Sequence, residues 1–421
     1  MRVLIIGQGG REHALAWKIK QSPDVSQIFV APGNAGTALE PGITNVNIAA
    51  TDVPALLDFA RIEKIDLTIV GPEAPLAEGI VDAFQAAHFP IFGPTQKAAQ
   101  LETSKVFSKT FMAKHGIPTA AFATFEDKVL AKKYINDHPL PLVVKASGLM
   151  AGKGVIICEN KEEALAAIET LLSDHQSEIV IESFLEGEEV SFIVMTDGIH
   201  IVPLATSQDH KRRDEGDLGP NTGGMGAYSP VAWVDSTLEE KILNTVIQPT
   251  LKALAKENTP YCGFLYAGLM ISPKGDIHVL EFNCRLGDPE TQALIPRLKT
   301  DLFALCWAAT HSQLQNKCVE WDDRVAVSVV LCAAGYPGPV QTGDAIHHYK
   351  MDGDTAVKFF VSGAKSQNQQ LMTAGGRVLC ISALGQTVHE AREKALYWAE
   401  QVTWPGKFYR KDIGWRAVKR E

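Results

Sequence analysis

The sequence predicts a multidomain protein of α/β and α+β class: an N-terminal doubly wound parallel sheet, a central region with a small α/β module set into it, and a C-terminal α+β domain. Three observations carry this. In residues 1–103 short apolar runs such as "VLIIG" and "DLTIVG" alternate with amphipathic helical stretches. Strands apolar throughout are buried on both faces, which implies a parallel sheet between helices. Residues 119–186 pack strand, helix, hairpin, helix and strand signals into one compact stretch. The apolar runs "VAVSVVLCA" and "RVLCISALG" then dominate the C-terminal part. A length of 421 residues agrees with roughly three domains of ~150 residues each. The expected boundaries are 1–103, 104–326 (the module at about 119–186) and 327–421.

The elements follow in order. "VLIIG" reads as a strand, "REHALAWKIKQ" as a helix, "IFVAP" as a strand, "VPALLDFARIEK" as a helix, "DLTIVG" as a strand, "AEGIVDAFQAA" as a helix and "IFG" as a short strand. "ETSKVFSKTFMAKHGIP" is a helix stopped by Gly116 and Pro118. The module contributes the helices "DKVLAKKYIND" and "KEEALAAIETLLSD" and the strand "EIVIES". Residues 207–229 are polar and Gly-rich and read as a long loop. A helix near 237–256 precedes the strands "GFLYAGLMIS" and "DIHVLEFN", joined by "PKG". "TVHEAREKALYWAEQV" is the C-terminal helix.

Composition narrows the function. The chain is 46% hydrophobic and 21% charged, ordinary for a soluble globular protein. A net charge of −9 and a pI near 5.8 argue against nucleic acid and anionic membranes as partners. Seven cysteines without a C-x-x-C pair suggest a reducing, cytoplasmic setting. "MRVLIIGQGG" enters a strand and turn directly, so no signal peptide is expected. No apolar run reaches the ~20 residues of a membrane helix. Small-molecule substrates are expected, with no obligatory protein partner.

"VKASGLMAGKGV" (144–155) ends in a Gly-Lys pair but departs from the Walker pattern, since Gly154 follows Lys153. Its flanks "PLVV" and "VIIC" are strand-like, so the loop joins a hairpin. Carrying Gly148, Gly152, Gly154, Lys145 and Lys153, it could fold over phosphates or be a plain Gly-rich turn. "GQGGREHA" lacks the third Gly of a dinucleotide fingerprint, because Glu12 stands there. That disfavours a NAD-dependent oxidoreductase. The N–H groups of Gly9 and Gly10 at a helix start suit one phosphate monoester; a tight strand-to-helix turn explains them equally. Glu73 in "GPEAPLAEG" lies at the carboxyl end of a parallel strand, where such sheets bind ligands. It could bind sugar hydroxyls or simply be a helix N-terminal carboxylate.

In "IESFLEGEEVSF" (181–192) backbone groups at 182–185 could read an adenine edge and Glu189 could accept from ribose hydroxyls; plain solvation is the alternative. "HVLEFNCRLGDPETQ" (278–292) is sharper. Glu281 and Asn283 share a strand face, with Leu280 and Phe282 on the other. An oxygen-only pair suits Mg²⁺ with phosphate oxygens completing its shell. Arg285 continues the parity if the strand does, and could balance charge on a transferring phosphoryl. A surface strand with outward polar residues is the bland alternative. In "SQDHKRRDEGDLGPNTGGMGAYSP" (207–230) Asp209, Lys211, Arg212, Asp214 and Asp217 could hold an amino-acid zwitterion. A loop this long is functional or mobile.

These segments, with "APGNAGTA" and "YRKDIGWRA" (409–417), resemble in this order the ATP-grasp ligases, and among them the phosphoribosylamine–glycine ligase family. The resemblance covers essentially the whole chain, and residues 207–230 are its most specific part. It implies that residues 1–103 bind phosphoribosylamine, that residues 104–326 form an ATP-grasp core with a small lid domain, and that the C-terminal domain completes the cleft. The implied reaction joins glycine to 5-phosphoribosylamine with ATP, through a glycyl phosphate, giving glycinamide ribonucleotide, ADP and phosphate. It places Lys105, Lys145, Gly152, Lys153 and Gly154 at ATP phosphates, the backbone of Glu182, Phe184 and Leu185 at adenine, and Glu189 at ribose. It gives Glu281 and Asn283 to Mg²⁺ or Mn²⁺ and makes Arg285 catalytic. Two positions depart from the pattern. Many ATP-grasp enzymes carry an acidic metal ligand on the strand paired with that of Glu281, and its counterpart here falls near Leu269. The family usually has Asp where Ser147 stands.

Two other readings remain at this point. One is an ATP-grasp ligase for a different carboxylate and amine; the other is a nucleotide-binding protein without catalysis, which the intact Glu281–Asn283–Arg285 trio disfavours.

Overall fold

The structure is a computed structural model, and it describes residues 1–148, 154–172, 178–349 and 355–421. Five parallel strands open the chain, in the order Ile43–Asn45, Gln27–Pro32, Arg2–Gly7, Leu67–Val70 and Ile91–Phe92. Val3, Leu4, Ile5 and Ile6 are fully buried, as a strand covered on both faces requires. The helix Val53–Ile62 begins where the Asp52 side chain accepts from the Ala55 N–H at 3.2 Å, with Pro54 in its first turn. Strand order reverses at Arg2–Gly7, flanked by Gln27–Pro32 and Leu67–Val70. The loops after these strands therefore meet at a switch point.

The single helix expected up to Gly116 is two, Gln100–Thr103 and Lys105–His115. Ser104 adopts extended backbone between them, and its hydroxyl accepts from the Phe107 N–H at 3.1 Å. Gly116, at φ +68°, ends the second helix in a left-handed cap.

The small module is a four-stranded antiparallel sheet, in the order Phe122–Phe125, Ile179–Ser183, Leu142–Ala146 and Val155–Cys158. Alternation sorts its faces. Leu142, Val144, Ala146, Ile179 and Ile181 join Ala131, Ile135, Ala164 and Ile168 of helices Lys128–Asp137 and Lys161–Leu171 in a separate apolar core. Val143, Lys145, Val180 and Glu182 fall on the opposite face, toward a cleft. The three other sheets of four or five strands contribute to one continuous core, so this module, with a core of its own, is packed as a separate body, as a lid would be.

Across the cleft stands a second antiparallel sheet, in the order Ile201–Pro203, Glu188–Asp197, Cys262–Ile271 and Ile277–Asn283. Its last pairing carries a bulge. Gly268 faces Glu281 and Leu269 faces Val279, so Leu280 has no partner. This corrects the expected parity: Val279 and Phe282 are buried at 0% and 1%, whereas Leu280 is half-buried and lines the cleft beside Glu281. The residue opposite Glu281 is Gly268, and Leu269 is core.

Residues 207–229 are more ordered than a loop. They form Gln208–Asp209, the ribbon Arg212–Asp214 with Leu218–Asn221, and Gly226–Ser229. The first and last of these join Val325–Cys332, Arg377–Gly385 and Val357–Val361 in one antiparallel sheet, packed by helix Val388–Gln401. Val325–Cys332 supplies the partner of Gly226–Ser229, which in turn pairs with Gln208–Asp209; the ribbon strands pair only with each other. No helix among the described residues is long and apolar enough to cross a membrane.

Candidate active site

A cleft of about 800 Å³ separates the small sheet from the sheet bearing Glu281. Arg11 and Glu73 reach it from the N-terminal domain, Tyr336 and Arg377 from the C-terminal one. Lys105 opens the helix Lys105–His115 and its ammonium donates to the Gly148 carbonyl at 3.0 Å. Lys109, four residues on, lies on the same helix face. It pairs with Glu182 and donates to the Thr119 hydroxyl at 2.6 Å. Lys145 pairs with the other oxygen of Glu182 and donates to the Leu280 carbonyl at 3.3 Å. One carboxylate thus holds two lysines. Burial opposes its charge, but Lys145 and Lys109 keep Glu182 below the usual carboxylate range. Burial pushes Lys109 down to about 8 and lowers Lys105.

Opposite them lies Glu281. Among the described residues its nearest ion-pair contact is Lys211, at 3.9 Å; Lys211 is also 3.1 Å from Glu189. Burial works against the Glu281 charge, yet Lys211, Lys145, Lys105 and Arg285 together hold its pKa at about 2. Burial likewise opposes the Lys211 ammonium, but Glu189 and Glu281 raise it well above its ordinary value. Glu281 with the Asn283 amide oxygen offers two hard oxygen donors, a set that fits Mg²⁺ or Mn²⁺ when phosphate oxygens and water complete the shell. Leu269 and Gly268 add no ligand, and among the described residues no group of three or more His, Cys, Asp or Glu is arranged for a metal.

Arg285 lies beyond the strand, which ends at Asn283, so strand parity does not aim it. Its contacts do. Nη2 lies 2.7 Å from Glu102 Oε1 and donates to Asn283 Oδ1 at 2.9 Å; Nη1 donates to the Leu286 carbonyl at 3.1 Å; Nε lies 3.3 Å from Glu73 Oε2. Burial opposes the guanidinium charge, but Glu102 and Glu73 hold it.

The remaining expected residues divide. Gly154, Phe184, Leu185, Glu189, Asp209 and Arg212 line the cleft, as Lys145 and Glu182 do. Two of the backbone donors expected for adenine are engaged: Ser183 N–H bonds Ala121 O at 2.9 Å and Phe184 N–H bonds Pro141 O at 3.4 Å. Gly152 and Lys153 lie outside the described residues. Ser147 is buried and its N–H donates to Glu178 O at 3.0 Å. Asp209 has its pKa raised by burial and Glu290, and its Oδ1 has no partner among the described residues.

Three expectations are corrected. The Gly9 N–H is not free for a phosphate, because the Glu12 side chain reaches back and its Oε2 accepts it at 2.6 Å, and Gly10 is buried against Ser362 and Gln292. Asp214 pairs with its neighbour Arg213 and does not line the cleft. Asp217 reaches the cleft wall, but its carboxylate already accepts from Arg410 at 3.0 Å, Trp415 at 3.1 Å and Arg416 at 2.6 Å, so it anchors the C-terminal segment. Glu12 also fills the switch-point crevice: a Cβ on Gly7 would meet its Cγ at 2.5 Å. No room remains there for the close pyrophosphate approach of a dinucleotide site.

Sequence reasoning missed Lys109, Glu102 and Arg377. The first two had a signal, since they stand at i+4 and i−3 from Lys105. Arg377 had none; its guanidinium donates to the Gly223 and Asp288 carbonyls at 2.6 and 2.7 Å, contacts far apart in sequence.

Comparison with known proteins agrees with this anatomy. Models of the phosphoribosylglycinamide synthetase N domain, ATP-grasp (A) domain and C domain match residues 1–102, 103–291 and 326–416. Phosphoribosylamine–glycine ligase of Escherichia coli K12 is 55% identical over 427 residues, covering 100% of both chains. That of Vibrio cholerae is 53% identical over 426 residues, covering 100% of this chain and 99% of its own. The crystal structure of phosphoribosylamine–glycine ligase from Thermotoga maritima superposes with a TM-score of 0.83 at 35% identity, covering 98% of this chain and 100% of that one. The biotin carboxylase domain of Hydrogenobacter thermophilus 2-oxoglutarate carboxylase, in complex with MgADP, shares the fold at a TM-score of 0.75 and 15% identity, over 97% of this chain and 91% of that one.

Proposed function

The chain belongs to the phosphoribosylglycinamide synthetase family, and we propose that its cleft makes glycinamide ribonucleotide by activating glycine with ATP before an amine attacks. It is an ATP-dependent carbon–nitrogen ligase of purine biosynthesis, a phosphoribosylamine–glycine ligase. The observation that carries the mechanism is the convergence of Lys105, Lys145, Lys211 and Arg285 on Glu281 between two sheets.

A carboxylate is a poor electrophile. A glycine carboxylate oxygen attacks the γ-phosphorus of ATP, ADP leaves, and glycyl phosphate results. The amine of 5-phosphoribosylamine then attacks the acyl carbon, phosphate leaves, and one proton is released. Charge compensation and positioning supply most of the catalysis. Lys105 and Lys145 hold the nucleotide phosphates, Lys145 aimed by Glu182. The backbone at 182–185 takes the adenine and Glu189 the ribose, with Gly154 in the cleft wall near the phosphates. Glu281 and Asn283 would hold Mg²⁺ or Mn²⁺, which when bound neutralises phosphate charge. Arg285 faces the transferred phosphoryl. Asp209 serves the glycine ammonium, and Glu73 the sugar hydroxyls. The module at 119–186 excludes water while the acyl phosphate exists. Seven free thiols accord with the cytoplasm as the place of work.

The test is substrate-resolved turnover. ATP, Mg²⁺, glycine and phosphoribosylamine should give one ADP per glycinamide ribonucleotide. Product with another amino acid or amine, and none with this pair, would assign a different ligase.

A further inference from the structure

Arg285 is held from three sides in this structure: each of its three guanidinium nitrogens has an acceptor, and of its five N–H groups only the second on Nη1 has none among the described residues. To meet a phosphoryl group with more than that single N–H, it must give up at least one of these acceptors. Asn283 and Leu286 are its chain neighbours. Glu102 is pinned from behind, because its Oε2 accepts from the Cys284 N–H at 2.7 Å. Glu73 differs from all three. Its contact is the longest, at 3.3 Å. Like Glu102 it belongs to the N-terminal domain, but it stands at the start of the short helix Glu73–Ala77, directly after the strand Leu67–Val70. That position lies at the carboxyl edge of the parallel sheet, where the sugar substrate is expected. A carboxylate that accepts from sugar hydroxyls is a weaker partner for a guanidinium it also faces.

We propose that Glu73 couples the two substrates: it restrains Arg285 until the ribose hydroxyls of the amine substrate engage its carboxylate, and only then does Arg285 turn to the phosphoryl being transferred. Glu73 is thus a positioning residue acting through Arg285. This rests on the ligase reaction proposed above. The benefit is chemical. If glycine attacks ATP with no amine present, water takes the amine's place at the acyl carbon; glycine and phosphate return, and one ATP is hydrolysed for nothing. A restraint released by the amine's own sugar suppresses that leak.

The experiment is glycine-dependent ADP release with and without phosphoribosylamine, at saturating ATP, Mg²⁺ and glycine, in the full chain. Glu73→Gln and Glu73→Ala should raise ADP release in the absence of the amine by roughly tenfold, the effect of one modest charge contact on a barrier. With amine well below saturation they should form more than one ADP per glycinamide ribonucleotide, and the ratio should return toward one as the amine saturates. A merely structural role would not move that ratio. Amine-free ADP release at the wild-type level in both variants, with only the KM for phosphoribosylamine raised, would overturn the proposal. So would an equal leak in Glu102→Gln, which would show that any loosening of Arg285 suffices. Failure of the underlying ligase reading would appear separately, as wild-type protein that makes no glycinamide ribonucleotide.

Discussion

Lys109 and Glu182 form an ion pair in which the two side chains are only 4% and 2% exposed. Lys145, at 8%, shares the same carboxylate. Charges so deep persist only when paired, and Glu182 is what allows two lysines to stand side by side at the cleft. Lys109→Met leaves Glu182 with Lys145 alone. The expected cost is on the order of 2 kcal/mol, less than that of stranding a buried charge outright. Urea unfolding measures it. Lys145 would then be drawn to Glu182, so ATP affinity should fall as well, read by nucleotide titration. Unchanged stability and affinity would remove Lys109 from the phosphate apparatus.

His210 gives a pH dependence with a definite sign. Its ring is buried, and Nε2 accepts from the Gly414 N–H at 3.0 Å, which requires the neutral form. Burial, and then Arg410, lower its pKa to about 4. The folded value lies below the unfolded one, near 6.5. Between the two the unfolded chain binds more protons, so stability rises with pH. The contribution is complete above about 6.5 and is lost as pH falls toward 4. Urea unfolding from pH 7 down to 4.5 should show the loss, roughly 2–3 kcal/mol over the window. His210→Asn should flatten the slope; an unaltered slope would place the titration elsewhere.

Much of this was legible in the sequence, for physical reasons. Val3–Ile6 is apolar at every position, and only a strand covered on both faces tolerates that. The β-branched runs "PLVV", "VIIC" and "EIVIES" read as strands, whereas which of their residues face the module's core and which the cleft is shown only by the structure, since Val143 and Val180 are as apolar as their neighbours. The bulge at Leu280 was hidden because it belongs to the pairing with Gly268 and Leu269, which a single strand does not reveal. The strand Gly226–Ser229 was hidden because its partner lies about a hundred residues on, at Val325–Cys332, and the other strands of 207–229 because they are short, polar and paired within the segment. Glu12 carried a local signal, a glutamate three residues after the helix cap, and that was enough to close the Gly9 N–H to a phosphate.

Asp209 and Asp217 share one segment but should behave differently. Asp217 is spent on Arg410, Trp415 and Arg416, whereas Asp209 lines the cleft with an oxygen that has no partner among the described residues. Asp209→Asn should raise the KM for glycine by about tenfold or more, as loss of a charged hydrogen bond to an ammonium would. Asp217→Asn should lower thermal stability by loosening residues 410–416, with a smaller change in that KM. Steady-state kinetics and a thermal melt separate the two. A larger glycine effect at Asp217 would restore it as a zwitterion ligand.

Arg285→Ala tests the centre of the mechanism. Its guanidinium is held beside Asn283, next to the expected metal and phosphate oxygens, but its own anchors are Glu102 and Glu73 and not the nucleotide. A group placed this way does little for ground-state ATP and much for the charge that develops during transfer. The variant should lose on the order of 10²–10³ in kcat while its ATP dissociation constant changes by no more than a few-fold. Calorimetric titration of ATP beside steady-state turnover makes the comparison. Removing the guanidinium also strands Glu102 against the Cys284 N–H alone, so part of any loss can be misfolding. Arg285→Lys controls for this: it keeps a positive charge near Glu102, loses the planar fork, and should recover stability but not turnover. Parallel losses in affinity and turnover across both variants would make Arg285 a nucleotide-binding residue instead of a catalytic one.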